Sequence, residues 1–180
     1  MKRIIHIAFL CVAFAALTFT AKAAEPVVKT GIEVLRDRNF EILKGKRVGL
    51  VTNPSGVDRF LNSTVDILFN APDVELVALY GPEHGVRGDV YAGGHVTDTK
   101  DEATGLPVYS IYGATRKPTP QMLEGIDVMV YDIQDVGVRS YTFISTLGLV
   151  MEACAEKGIE VMVLDRPNPL GGNKIEGCYV

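Results

Sequence analysis

The chain has 180 residues, of which 47% are hydrophobic, and its formal net charge is −4 at pH 7. This charge, together with the absence of any basic run longer than two residues, argues against a nucleic-acid-binding protein. The length suits a single domain of ordinary size with its own hydrophobic core.

The first 23 residues have the pattern of a secretory signal peptide. A positively charged start, Lys2-Arg3, precedes an apolar run from Ile4 to Thr20, and Ala21-Lys22-Ala23 then marks a cleavage site. A single membrane anchor is less favoured, because the run is at the short limit for a bilayer span and a cleavage site follows it. We therefore expect an exported protein, periplasmic or secreted, whose mature domain covers residues 24–180 and does not stay inserted in a membrane.

Apolar spacing in the first half of the mature region predicts helices that alternate with strands. Continuous runs of branched residues indicate buried strands, and apolar residues three or four positions apart indicate helices packed on them. In chain order the elements are a helix and turn over Gly31–Leu43, a strand over Arg47–Thr52, a helix carrying Leu61, Val65, Leu68 and Phe69 with Asn62, Ser63 or Thr64 as its cap, and a strand over Val74–Tyr80.

The second half repeats this alternation after a glycine-rich loop over Gly81–Leu106, a length that is usually functional or mobile. Continuous apolar strands alternating with helices predict an α/β fold with a doubly wound, mostly parallel sheet. The predicted elements are a strand over Pro107–Tyr112, a short helix over Thr119–Leu123, a strand over Asp127–Ile133, a helix over Ser140–Lys157 that ends at Gly158, and a strand over Ile159–Leu164. The helical stripe expected to face the core consists of Tyr141, Ile144, Leu147, Met151 and Cys154.

Two cysteines, Cys154 and Cys178, belong to the mature region. Export permits a disulfide, but two cysteines do not make a disulfide scaffold. Because Cys154 lies on an apolar helical stripe, we expect it to be buried and unreactive.

Polar residues that directly follow the predicted strands are the candidates for a functional site. Ligands of open parallel sheets bind beyond the carboxyl ends of the strands, so these residues should lie at one edge. They are Asn53 and Ser55, then Glu83 and His84, then Tyr112, then Asp132, Gln134 and Asp135, and finally Asp165, Arg166 and Asn168.

The segment Gly81–Gly88, GPEHGVRG, places a carboxylate beside an imidazole, between glycines that let a substrate approach the backbone. Glu83 could act as a general acid or base, and His84 could bind substrate or orient a neighbouring group. The alternative is a plain turn in which both side chains are solvated or hold the loop together.

A metal site is a second interpretation of this region. His84 and His95 with Asp89, Asp98 or Asp101 supply suitable ligand types. Their spacing matches no known zinc pattern, such as two histidines four residues apart on a helix. We therefore expect no metal.

Two further motifs follow the last two predicted strands. YDIQDVGVRSYT, residues 131–142, runs from a strand into a helix and offers Asp132, Gln134 and Arg139 as functional groups, or else as a helix cap and an ion pair. A helix N-terminus there would suit an anionic ligand such as a carboxylated sugar. LDRPNPLGG, residues 164–172, holds Asn168 between prolines, which either presents its amide to a ligand or stiffens a connection.

Motifs for nucleotide cofactors and serine hydrolases are missing from the sequence. No G-x-G-x-x-G follows a strand, and neither G-x-x-x-x-G-K-[ST] nor G-x-S-x-G occurs. The remaining motifs resemble a known family.

The strings RVGLVTNPSGV, GPEHGVRG, YDIQDVGVRSYT and LDRPNPLGG, in this order, resemble the DUF1343 (YbbC-like) family, which contains exo-β-N-acetylmuramidases. The likeness runs from about Gly31 to the end of the chain. It implies a Rossmann-like N-terminal domain followed by a smaller C-terminal domain, with the active cleft between them. Because the sequence stops at Val180, soon after a strand and a Pro/Gly-rich loop, we expect a fragment that lacks the second domain.

The resemblance implies an enzyme that releases terminal N-acetylmuramic acid from the non-reducing end of peptidoglycan fragments without a cofactor. It places the family's catalytic acid on Glu83. His84 and Asp132 are the further catalytic candidates, and Asn53, Gln134, Arg139 and Asn168 are the candidates for substrate binding.

Glycoside cleavage also needs a nucleophile or an activated water besides the acid. Asp132, Asp135 or the 2-acetamido group of the substrate could supply this function. Two other functions remain compatible with the sequence. One is a non-catalytic module that binds muropeptides or sugars, and the other is an esterase or amidase on an α/β scaffold.

Overall fold

Six strands form one sheet in the part of the chain that the computed structural model describes, residues 28–88, 91 and 98–178. They are β1 (Arg47–Thr52), β2 (Glu75–Gly81), β3 (Thr99–Lys100), β4 (Pro107–Ser110), β5 (Val128–Asp132) and β6 (Glu160–Val163). Their order across the sheet is β3-β4-β2-β1-β5-β6, and all neighbours are parallel except β3 and β4.

This strand order confirms the doubly wound α/β sheet expected from the sequence. The chain starts in the middle with β1, adds β2 and β4 on one side, and then returns to add β5 and β6 on the other. The direction of winding therefore changes between β1 and β5. Sheets of this kind bind ligands at such a switch point, beyond the carboxyl ends of the strands.

Helices cover both faces of the sheet within the described residues. They are α1 (Gly31–Asp37), a 3-10 helix (Glu41–Leu43), α2 (Thr64–Phe69) and α3 (Phe143–Lys157). Successive residues of a strand point to opposite faces, so the core forms two layers. Val48 and Leu50 of β1 pack in the layer that contains α1 and α2. Val51 and Met129 pack in the layer that contains α3.

Several predicted local features are confirmed. The Ser63 hydroxyl accepts a hydrogen bond from the Val65 backbone N–H at 3.2 Å and caps α2. Gly158 ends α3 with a φ of 68°. Cys154 is buried, and burial raises the pKa of its thiol to about 11, which makes it unreactive at neutral pH.

Some predicted elements differ from the structure. The helix and turn over Gly31–Leu43 divide into α1 and the 3-10 helix, because Asn39 and Phe40 have positive φ values of 51° and 54°. The predicted helix over Thr119–Leu123 is wrong, since the chain there forms only hydrogen-bonded turns. Thr99–Lys100, expected within a loop, pairs antiparallel with β4.

The face of α3 that meets the core agrees with the prediction only in part, since Leu147 and Cys154 of the expected stripe pack on the core. Of the expected stripe, Tyr141, Ile144 and Met151 are 47%, 59% and 50% exposed. The helix is apolar on more than one side, so residue spacing alone did not identify the buried face. The residues of α3 that are buried are Thr146, Val150, Ala153 and Cys154.

A buried carboxylate, Glu33, fastens α1 to the segment after β1. Its Oε2 accepts hydrogen bonds from the Thr30 backbone N–H at 2.8 Å and from the Thr30 hydroxyl at 3.0 Å. Arg59 pairs with the same carboxylate. The hydrogen bond from Arg59 lowers the pKa of Glu33 to about 2, although burial acts in the opposite direction.

Acid is therefore expected to remove the contribution of Glu33 to stability over a defined range. The folded pKa of about 2 lies below the ordinary value of 4.5, so the unfolded chain takes up the proton first and stability is lost as the pH falls between these values. Urea titrations at successive pH values should show a shallower acid decline in the free energy of unfolding for Glu33→Gln. Equal slopes in the two proteins would contradict this role.

Candidate functional site

A cavity of about 600 Å³ opens at the carboxyl edge of the sheet. The segments that follow β1 and β2 and the segment that enters α3 form its walls. Its lining residues are Asn53, Pro54, Ser55, Glu83, His84, Gly88, Ser140, Tyr141, Thr142 and Phe143. The structure thus brings together four of the strand-end candidates, Asn53, Ser55, Glu83 and His84.

Hydroxyl groups from two other elements hold Glu83 in place. The Tyr112 phenol, just beyond β4, donates to Oε1 at 2.9 Å, and the Thr142 hydroxyl, just before α3, donates to Oε2 at 3.2 Å. The hydrogen bond to Glu83 raises the pKa of Tyr112, so the phenol keeps its proton at neutral pH. The half-buried carboxyl group is therefore oriented through both oxygens at the cavity wall, as a general acid or base requires.

A strained turn brings His84 to the same cavity. The Gly85 N–H donates to the Pro82 carbonyl at 2.9 Å, which closes a four-residue turn, and His84 has a φ of 74°. The third position of such a turn normally holds glycine or asparagine, because other side chains are disfavoured at positive φ. Backbone strain of this kind collects at functional sites.

His84→Gly is expected to be more stable than His84→Ala by about 1 kcal/mol. Both variants lose the imidazole, so the difference isolates the cost of a Cβ at this positive φ. Chemical denaturation of the two variants side by side measures it. Equal stability would mean that the turn relaxes to negative φ in solution.

Arg87 fastens the loop that carries Glu83. Its guanidinium donates to the buried Asp101 carboxylate at 2.8 and 3.0 Å and to the Asp66 carboxylate of α2 at 2.8 and 3.1 Å. The hydrogen bond from Arg87 holds the pKa of Asp101 below its usual value. The next residue is Gly88, where an added Cβ would lie 2.6 Å from Pro54. The loop is thus tied to both α2 and the segment after β1.

The ligands considered for a metal site have other contacts in the structure. Asp101 pairs with Arg87, and Asp98 accepts a hydrogen bond from the Ser110 N–H at 2.8 Å. His95 and Asp89 lie outside the described residues. Within the described ranges, no group of three or more His, Cys, Asp or Glu side chains is placed to hold a metal ion.

Asp132 lies beneath the site and does not line the cavity. The Arg166 guanidinium donates to its two carboxylate oxygens at 2.6 and 2.9 Å, and the Thr64 hydroxyl donates to one of them. Arg166 also donates to the Val57 carbonyl at 2.9 Å. Because Asp132 is fully buried and both its oxygens are engaged, it is a brace between β5 and the neighbouring loops.

Asn53 and Gln134 connect the loops at the switch point. The Ser55 hydroxyl donates to Asn53 Oδ1 at 2.6 Å and accepts from the Gln134 backbone N–H at 2.9 Å. The Gln134 side-chain amide donates to the Pro167 carbonyl at 3.0 Å. The loops that follow β1, β5 and β6 are therefore held together by side chains that the sequence offered as substrate ligands.

Arg139 and Asn168 do not line the cavity. Arg139 donates to the Cys178 carbonyl at 2.7 Å. Asn168 Oδ1 accepts from the Leu170 N–H at 2.9 Å, and its amide packs against Gly137, where an added Cβ would lie 2.9 Å from Nδ2. Both side chains have local contacts that shape their loops, and substrate binding by either stays a prediction.

The sequence did not predict the roles of three side chains at the site, which are those of Tyr112, Thr142 and Tyr141. Tyr112 was identified by its position after a strand, without a role. Thr142 lies in the string YDIQDVGVRSYT, which was the available signal, and Tyr141 was interpreted as a core residue of α3. The contact of Tyr112 with Glu83 joins positions 29 residues apart, so it depends on the fold.

A larger hollow of about 710 Å³ lies along the outer edge of the sheet, beside α1 and β6. Apolar side chains such as Val34, Ile42 and Val163 line it, and neither Glu83 nor His84 does. The smaller cavity combines convergent polar groups with the carboxyl edge of the sheet, where ligands of such folds bind. The smaller cavity is therefore the candidate functional site.

The motifs around this cavity match a known family. The family model described as "Exo-beta-N-acetylmuramidase NamZ, N-terminal" covers residues 48–180. This chain belongs to that family. The match confirms the resemblance inferred from the motif strings, and it includes both Glu83 and the loops that hold it.

Individual relatives agree with this family assignment. The peptidoglycan β-N-acetylmuramidase NamZ of Bacillus subtilis (strain 168) is 59% identical over 155 residues, which is 86% of this chain and 37% of that protein. One DUF1343 family crystal structure from Bacteroides fragilis NCTC 9343 is 66% identical with a TM-score of 0.77, over 84% of this chain and 38% of its own. A second from the same organism is 32% identical with a TM-score of 0.63, over 80% and 36%. The chain thus spans less than two fifths of the length of these relatives.

Proposed function

We propose that this NamZ-family chain carries the catalytic acid of a glycoside hydrolase that releases terminal N-acetylmuramic acid from peptidoglycan fragments. The Bacillus relative is named a peptidoglycan β-N-acetylmuramidase, which supports the reaction class and the substrate. The observation that carries the proposal is the Glu83 carboxyl group. Two hydroxyl groups orient it at the wall of a cavity at the carboxyl edge of the sheet.

Glu83 acts as the general acid in this proposal. Its carboxyl proton passes to the glycosidic oxygen as the bond from that oxygen to C1 breaks, and the bonding electron pair leaves with the oxygen. Positive charge develops at C1 and the ring oxygen. Water then bonds to C1 and gives up one proton, which regenerates the Glu83 carboxyl group directly or through solvent. Tyr112 and Thr142 keep the carboxyl group in position, while His84 and Asn53 line the same cavity and face the polar groups of the sugar.

The second reacting group is not Asp132 in this proposal, because Asp132 is fully buried, is ion-paired with Arg166 and does not line the cavity. Asp135 is exposed, and the 2-acetamido group of the substrate adjoins C1, so these two are the candidates. Attack by the acetamido group retains the configuration at C1. An Asp135 nucleophile also retains it, whereas activation of water by Asp135 inverts it. NMR of the first-formed anomer is therefore combined with the activity of Asp135→Asn, which is lost only if Asp135 takes part.

The direct test uses a disaccharide with N-acetylmuramic acid at its non-reducing end and the full-length protein. The proposal expects free N-acetylmuramic acid in the mass spectrum and no release from the analogue that has N-acetylglucosamine at that end. Binding without turnover would instead identify a sugar-binding module. Loss of an acyl or peptide group with the glycosidic bond intact would identify an esterase or amidase.

We also propose that the protein is exported. The support is the sequence pattern of residues 1–23, which lie outside the described residues. No helix in the described part of the chain is long and apolar enough to cross a bilayer. N-terminal sequencing of the exported form should begin at Ala24 or within two residues of it, and an intact Met1 would refute the proposal.

A further inference from the structure

Tyr141 is an aromatic side chain that the core does not use. It lines the cavity of Glu83 and is 47% exposed. Its ring centroid lies 6.2 Å from that of Phe143, and the two ring planes meet at 78°. Because the rings are nearly perpendicular, Phe143 does not stack face to face on Tyr141. With about half of its surface exposed, Tyr141 thus offers aromatic surface to the cavity.

A turn in the loop after β5 and one contact with the sheet hold the backbone of this aromatic pair in place. The Tyr141 backbone N–H donates to the Val138 carbonyl at 3.0 Å. The hydroxyl of Tyr131, a buried residue of β5, donates to the Phe143 carbonyl at 2.8 Å. The ring is thus presented by anchored backbone on both sides, which lowers the entropy lost when a ligand binds it.

The position of Tyr141 is also tied to that of Glu83. The residue between the two aromatic rings is Thr142, whose hydroxyl donates to Glu83 Oε2 at 3.2 Å. Because the Tyr141 ring and the Glu83 carboxyl group line the same cavity, a ligand on the ring would lie beside the carboxyl group. This coupling is what a hydrolase needs, because the acid must meet one particular oxygen of the substrate.

We infer that Tyr141 is the stacking platform for the sugar ring whose glycosidic bond meets Glu83, an inference that rests on the proposed function. A β-linked pyranose with equatorial substituents presents axial C–H groups at C1, C3 and C5 on one face. That face is apolar and carries partial positive charge on its hydrogens. The face of a tyrosine ring carries negative charge and matches it.

The test measures binding of the methyl β-glycoside of N-acetylmuramic acid to the full-length protein by saturation-transfer NMR. In the natural protein, H1, H3 and H5 should receive more saturation than H2 and H4. Tyr141→Ala should abolish this difference and raise the dissociation constant about 3- to 10-fold, which corresponds to the loss of one aromatic contact. Tyr141→Phe keeps the ring and should change binding less than about 2-fold.

Phe60→Ala is the matched control, because Phe60 is 71% exposed and does not line the cavity. It should leave both the saturation pattern and the dissociation constant unchanged. With the disaccharide substrate, Tyr141→Ala should raise KM more than it lowers kcat, as expected for a contact present before and during bond cleavage.

The outcomes separate this inference from the proposed function. If the natural protein and Tyr141→Ala bind equally with the same saturation pattern, the platform is overturned and the proposed function stands. If Tyr141→Phe binds as poorly as Tyr141→Ala, the hydroxyl and not the ring makes the contact, which also overturns the platform. Absence of both binding and turnover in the natural protein overturns both.

Discussion

Glu83→Gln is expected to lower turnover of a disaccharide that ends in N-acetylmuramic acid by about 10²- to 10⁴-fold, the range typical for loss of a general acid. Glutamine keeps the shape of the side chain, and its amide oxygen still accepts a hydrogen bond from Tyr112 or Thr142. It has no proton of suitable acidity to give to the glycosidic oxygen. The loss should therefore appear in kcat, with a smaller change in KM.

The leaving group provides an internal check on this assignment. A substrate with a good leaving group, such as a nitrophenyl muramide, needs less protonation, so Glu83→Gln should lose less activity on it than on the natural disaccharide. Glu124→Gln is the matched control, because Glu124 is exposed and does not line the cavity. Equal losses on both substrates would argue that Glu83 acts in some way other than proton donation.

His84→Ala is expected to cost less activity than Glu83→Gln, because an orienting group contributes less than the proton donor itself. The strained backbone of His84 makes this comparison informative. If His84→Gly were stable yet less active, the imidazole and not the turn would be responsible. The same assay as for Glu83 measures both variants.

The parallel sheet could be predicted from the sequence because its central strands are continuous runs of apolar residues. β1 has the predicted bounds, Arg47–Thr52, and five of its six residues are buried, so an unbroken run of branched residues was sufficient evidence. The edge strand β3 has no such signal. It is two residues long, both exposed, and it exists only because β4 offers a free edge for pairing.

The buried faces of the helices were harder to predict, because packing against the sheet determines which side of a helix is buried. Of the predicted apolar stripe, Leu147 and Cys154 do pack on the sheet, but Ile144 and Met151 are exposed, and Val150 and Ala153 complete the buried face of α3. The position of the site followed from topology, since strand-end residues must share an edge. Which of them face the cavity depended on long-range contacts, such as the one between Asp132 and Arg166, 34 residues apart.

The second large effect is expected on stability, at the buried ion pair of Asp132 and Arg166. Arg166→Met should lower the free energy of unfolding by about 3–5 kcal/mol, because it leaves the Asp132 carboxylate buried without a partner. Such a loss is a large fraction of the stability of a typical domain. The double variant Asp132→Asn with Arg166→Met removes both charges and should regain much of the loss.

Lys44→Met is the matched control for this experiment. Lys44 pairs with Asp73 at 2.9 Å, but both side chains are about two-thirds exposed, so its loss should cost far less stability than the loss of Arg166. Urea denaturation of the three variants gives the comparison. If Arg166→Met cost no more than Lys44→Met, the pair would have to be solvated, and the reason for excluding Asp132 from the reaction would disappear. A large cost that the double variant recovers would instead identify Asp132 as the brace beneath the loop that places Asn53 and Ser55 at the cavity, leaving proton donation to Glu83.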